Sequence, residues 1–274
     1  MRIFATVGLF FSIIVFSQCT PSQNSDQKVT FVNLDPEIEE MLSEVSADSI
    51  EKNVYRLADF GTRHTLSETE SDTFGIGAAR RWIKAEFDRY SQNSNNRLEV
   101  EYHRFIQEPD RRIPDSTEIV NVVATLPGSN PADDRVFVVS GHYDSRATDV
   151  MDAESEAPGA NDDASGTAAI MEMARVMSNY DFSATLVFIA LAGEEQGLLG
   201  AEQWAEDAAD EGKNIAGMFT NDIIGNPDAE DGKLSDPYKV RLFAEGIPPQ
   251  RELDRQTRRY LQTGGESDMP TRQL

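Results

Sequence analysis

The chain has 274 residues, 39% hydrophobic and 27% charged, with 25 Lys+Arg against 48 Asp+Glu for a formal charge of −23. That length and apolar content suit one large α/β domain or two modest ones, and so acidic a chain lacks the basic face with which a nucleic-acid binder neutralises phosphates. A single cysteine, Cys19, excludes both an intramolecular disulfide and a thiolate zinc cluster.

In chain order, Arg2 comes first, before an almost wholly apolar stretch over residues 3–16. It is too short to span a bilayer comfortably and suits the hydrophobic region of an export signal. Ser17, Gln18 and Cys19 follow, and the segment resembles a bacterial lipoprotein leader, in which the cysteine becomes the lipid-modified first residue. The resemblance implies a signal peptide over 1–18, lipidation at Cys19, and an exported lipoprotein of the periplasm or cell envelope, anchored to the outer membrane. Residues 19–30 then read as a polar tether and 31–274 as a single domain with a helical start. Residues 35–60 carry Ile38, Met41, Leu42 and Val45, then Ile50, Val54 and Leu57, at helical spacing. This predicts two helices joined near residues 46–48.

A stronger amphipathic helix is predicted over 75–91, with Ile76, Ala79, Trp82, Ile83 and Phe87 on one face. Residues 98–105 alternate apolar and polar, as a half-buried strand does, and 118–126 form another strand closed by Pro127 and Gly128. From Val136 the pattern changes to short apolar runs at 136–140, 185–192 and 215–220, separated by helical spacing at 166–177 and 197–208. Buried strands alternating with helices predict an α/β fold, a mostly parallel central sheet with helices on both faces.

The core strands run into ionisable residues. His142 and Asp144 follow the first, Glu194 and Glu195 the second, and Asp222 the third, while Asp162 and Asp163 precede the helix at 166. In open α/β sheets, sites form beyond the carboxyl ends of the strands. Like charges converging there repel unless a cation lies among them. One imidazole with several carboxylates and no thiolate suits Zn²⁺, and also Mn²⁺ or Co²⁺. Adjacent glutamates can divide the labour, one binding metal and the other taking a proton from water, and Asp144 could orient the His142 ring. Taken singly, each feature has a plainer use: Asp163 or Ser165 as a helix N-cap, Glu194-Glu195 as a solvated pair at a helix start.

Together, the runs 140–145 (SGHYDS), 159–169 (GANDDASGTAA), 191–201 (LAGEEQGLLGA) and 221–225 (NDIIG) resemble the successive signatures of the M28 family of zinc peptidases. The resemblance is tight over 136–225. It implies two zinc ions, with His142 and Asp222 as terminal ligands of different ions, Asp162 bridging both, Glu195 completing that part of the set, and Glu194 as general base. It also implies a cis peptide between Asp162 and Asp163. The implied reaction is removal of N-terminal residues from peptides. The alternatives are a related carboxypeptidase or glutaminyl cyclase, or a lipid-anchored protein that binds metal or peptide without catalysis. One departure is clear: the family supplies a further histidine downstream, and here the histidines are His64, His103 and His142. His64 and His103 lie too early in the chain and read as packed or surface residues. Near the end, Glu266-Ser267-Asp268 is followed by Met269, read as a helix cap, so that the domain is expected to be C-terminally incomplete with an unpaired sheet edge.

Overall fold

The computed structural model describes residues 35–226; the Cys19 leader, the tether and Glu266-Ser267-Asp268 lie outside them. Helix α1 (Pro36–Glu44) starts with proline at its first turn, and the Asp35 carboxylate accepts from Glu37 N at 3.0 Å. Helix α2 (Ala47–Ala58) begins where Ser46 Oγ accepts from Ser49 N at 3.2 Å. The break between the two helices is therefore a capping event, at the place the periodicity predicts. Helix α3 (Gly75–Asn93) buries Ile76, Ala79, Ile83 and Phe87 along one face.

Strands β1 (Glu99–Gln107), β2 (Thr117–Leu126) and β3 (Arg135–His142) precede helix α4 (Ala164–Met177). Strand β4 (Thr185–Leu191), helix α5 (Leu199–Asp210) and strand β5 (Asn214–Thr220) follow. Among the described residues, these five strands form one sheet in the order β1-β2-β4-β3-β5. The expectation of a mostly parallel sheet needs correction: β3 pairs in parallel with β4 and β5, but β1–β2 and β2–β4 are antiparallel. The reason is connectivity. β3, β4 and β5 are joined through helices, which allows parallel return, whereas the β1–β2 connection carries no helix and reverses the chain.

Helices cover both faces. Leu186, Phe188 and Ala190 of β4 point into the large core shared with α2, α3 and α4, while Val187, Ile189 and Leu191 point to the other side, beneath Trp204 and Ala201 of α5. A strand buried on both faces explains the uninterrupted apolar run that marks β4 in the sequence. At the sheet edge β5 leaves Ile215, Met218 and Phe219 exposed.

Candidate metal centre

The carboxyl ends of β3, β4 and β5 and the start of α4 meet at one place, and small residues make the meeting possible. A Cβ on Gly141 would lie 2.7 Å from the backbone carbon of Gly166, and one on Gly166 would lie 2.2 Å from the Asn221 carbonyl oxygen. Three elements thus approach at backbone contact. Asn221 N donates to Ser140 O at 2.8 Å, Ile224 N to Ser165 Oγ at 3.2 Å and Gly225 N to Asn161 Oδ1 at 2.9 Å. These bonds hold the segment carrying Asp222 over the segment carrying Asp162.

Around the His142 ring, Nε2 lies 3.1 Å from Asp162 Oδ1, 3.8 Å from Asp222 Oδ1 and 3.9 Å from Glu194 Oε2. Its other nitrogen, Nδ1, lies 3.2 Å from the Asp144 carbonyl oxygen, an acceptor, so Nδ1 carries the ring proton of a neutral imidazole and donates it. The Nε2 lone pair then faces three carboxylates. That arrangement is repulsive unless a cation stands between them, and the donor set of one imidazole and carboxylates fits zinc. His142, Asp162 and Asp222 can each offer a ligand atom with all three within 4.8 Å of one another. Ligand atoms about 2.0–2.1 Å from one tetrahedral zinc lie roughly 3.3 Å apart, which the 3.1 and 3.8 Å separations bracket. The resemblance implied different ions for His142 and Asp222, whereas their ligand atoms lie 3.8 Å apart, close enough to serve one. They converge on a single position, because the parallel neighbours β3 and β5 end side by side.

The protonation chemistry is consistent with this crowding. Burial opposes charge on His142, but Asp144, Asp162 and Asp222 outweigh it and hold the imidazole well above its ordinary pKa, so that without a metal ion a proton takes its place on Nε2. The Asp162 carboxyl is held down, chiefly by its hydrogen bond to His142. Burial pushes Glu194 up, with Asp144, Asp222 and Asp162 adding to the effect against His142. Glu195 is pushed up to about 7 by burial, then by Asp162 and Asp144. Asp163, buried, rises to about 7 for the same first reason.

Asp144 is fully buried and binds the centre together. Its carboxylate accepts from Glu194 N at 3.3 Å, Glu195 N at 3.1 Å and Thr65 Oγ1 at 3.0 Å, and its Oδ1 lies 3.5 Å from His142 Nδ1. It orients the ring and also fixes the backbone of the glutamate pair. Asp163 takes the capping role: Oδ1 accepts from Gly166 N at 2.9 Å and Oδ2 from His142 N at 3.0 Å. The peptide between Asp162 and Asp163 is cis.

Glu195 stands apart from the three grouped ligands. Its Oε2 pairs with Arg146 Nε at 2.8 Å, and Arg112 donates to its carbonyl oxygen at 2.7 Å. The family resemblance that placed it in the ligand set did not foresee that cation. Sequence reading also missed Arg63, which is fully buried and donates to the carbonyls of Leu57, Tyr143, Pro158 and Gly159 at 2.6–3.0 Å. A lone arginine in a loop carries no periodicity, so only its place in an otherwise uncharged run, GTRHT, could have marked it. The remaining histidines are packed. His64 is buried against Val150 and Gln196, and His103 lies between Asp207 and Asn121.

Residues 121–247 match the profile of Peptidase family M28. A probable zinc metalloprotease of Leptosphaeria maculans is 48% identical over 238 residues, which cover 87% of this chain and 54% of that protein. One from Pyrenophora teres f. teres is 45% identical over 241 residues, covering 88% and 50%. The chain spans about half the length of these curated relatives. They are fungal, and the bacterial origin expected from the leader finds no support in them. Among solved structures, LapB from Legionella pneumophila superposes with a TM-score of 0.56 at 23% identity, over 73% of this chain and 50% of that one. The aminopeptidase from Aneurinibacillus sp. strain AM-1 does so at 0.54 and 17%, over 70% and 73%. At such identities the structural likeness speaks for the fold alone. The family whose profile residues 121–247 match is Peptidase family M28.

Proposed function

We propose that this chain carries the catalytic core of a zinc-dependent aminopeptidase acting on peptides. The observation that carries the reading is the convergence of His142, Asp162 and Asp222 on one position with the Glu194 carboxylate beside it. His142, Asp162 and Asp222 would hold one zinc ion and Glu195 would serve as a ligand of a second; bound there, zinc would supply Lewis acidity for the scissile carbonyl and lower the pKa of the attacking water. The protein's own part is positional and protolytic. Asp144 holds the backbone of the glutamate pair, so the Glu194 carboxylate stays facing the group. Burial raises the proton affinity of Glu194, which suits a base that takes a proton from water and returns it to the leaving amine.

Replacing Glu194 with Gln removes the proton acceptor while keeping the shape and one carbonyl oxygen. We expect turnover of aminoacyl substrates to fall by at least about 100-fold with zinc content unchanged, measured by elemental analysis of the same preparation. Activity within tenfold of the parent would exclude the role. Running N-blocked peptides and N-terminal glutaminyl peptides alongside free-amine substrates separates aminopeptidase from carboxypeptidase and from cyclase.

A further inference from the structure

Arg146 follows the β3 end by four residues, beyond the run that carries His142 and Asp144. Its Nε reaches Glu195 Oε2 at 2.8 Å, and the Glu195 side chain is only 11% exposed. The other carboxylate oxygen, Oε1, makes no hydrogen bond to a described residue. The rest of Glu195 is clamped: its N–H on Asp144 at 3.1 Å and its carbonyl under Arg112 at 2.7 Å. A largely buried carboxylate with its backbone fixed at both polar atoms, and one oxygen engaged by a guanidinium, has a single oxygen left to offer. Its neighbour Glu194 receives no arginine or lysine among the described residues; its carboxylate lies 3.9 Å from His142 Nε2. Two chemically identical side chains, adjacent in sequence, are thus distinguished by one cation.

We propose that Arg146 is the positioning residue that makes Glu195 a one-oxygen zinc ligand and leaves Glu194 as the free base. By holding Oε2 at 2.8 Å, Arg146 restricts the rotation of the Glu195 carboxylate and leaves Oε1 to face the side shared with Asp162. Partners of this kind behind a ligating carboxylate typically change metal affinity by about 10–100-fold when removed. The inference rests on the proposed role of Glu195 as a ligand.

The test is zinc affinity, read by competition with a chromophoric chelator, for the full chain and for R146M, R146K and E195A, each checked for folding by circular dichroism. Arg146 is 44% exposed, so its replacement should leave the fold standing. Expected is a loss of roughly 10–100-fold in affinity for one zinc ion in R146M, partial recovery in R146K, which restores the charge without the fork, and a loss at least as large in E195A. Unchanged affinity in E195A would defeat the reading of Glu195 as a ligand. A clear loss in E195A with none in R146M would defeat the role of Arg146 alone. Tighter zinc binding in R146M would also overturn it, showing that Arg146 withholds Glu195 from the metal. A raised KM with zinc affinity intact would mean that Arg146 contacts substrate instead.

Discussion

Arg63 is fully buried, yet its guanidinium lies within reach of four carbonyl oxygens from three separate segments. Burial pushes it down to about 10, with Asp144, Asp163 and Asp162 resisting, so it remains a cation at neutral pH. Two of its acceptors, Pro158 and Gly159, lie just before Asp162, and a third, Tyr143, lies beside His142. It therefore ties the loop that presents one ligand to the strand that presents another. Methionine at this position would match the bulk and leave the carbonyls unpaired in a dry interior. We expect R63M to destabilise the chain by at least about 3 kcal/mol, measured by urea unfolding. A loss below about 1 kcal/mol would mean that water replaces the guanidinium.

At the scale of elements, the centre depends on how closely α4 approaches the ends of β3 and β5. The two glycines at the crossing permit this: the nearest atoms to an added Cβ on Gly141 are the backbone carbon of Gly166 at 2.7 Å and Thr167 N at 2.8 Å. Neither can move without lifting the start of the helix. G141A should separate α4 from β3, weakening the Asp163 bond to His142 N and moving Asp162 away from the His142 ring. Overpacking of this kind costs about 1–3 kcal/mol. We expect a lowered melting temperature together with weakened zinc binding, followed by thermal unfolding and elemental analysis. Loss of stability with full zinc content would show that the helix start is more compliant than this packing implies.

For the whole molecule, the carboxylates at the sheet end are a source of repulsion added to a chain already at −23. Zinc held by the folded arrangement and not by the dispersed ligands would stabilise the fold by mass action: about 2.7 kcal/mol at free zinc 100-fold above Kd. At roughly 2–4 °C per kcal/mol for a domain of this size, the melting temperature should rise by about 5–10 °C with zinc and fall back with EDTA. Scanning fluorimetry of the full chain checks this. The gain should shrink as pH falls, because protons compete for the same His142 and carboxylate atoms. A melting temperature indifferent to both zinc and chelator would mean the group does not hold a cation.

Much of this was legible in the chain itself. Capping residues and apolar periodicity place α1 to α5, because a helix or strand declares itself within its own few residues. The runs at β3, β4 and β5 announce burial because a strand covered on both faces has no polar side to show. The ionisable residues following those runs indicate a cation site, since so many carboxylates at strand ends need one. Other features were decided only by tertiary structure. The mixed direction of the sheet depends on which strands become neighbours, which strand patterning does not encode. His142 and Asp222, 80 positions apart, come within 3.8 Å of each other because β3 and β5 lie side by side in parallel. Arg63 and Arg146 meet partners that fold next to them from distant segments, so no periodicity marks them. Which of the two adjacent glutamates is engaged by a cation is likewise settled in space, by an arginine that only the folded chain brings within 2.8 Å.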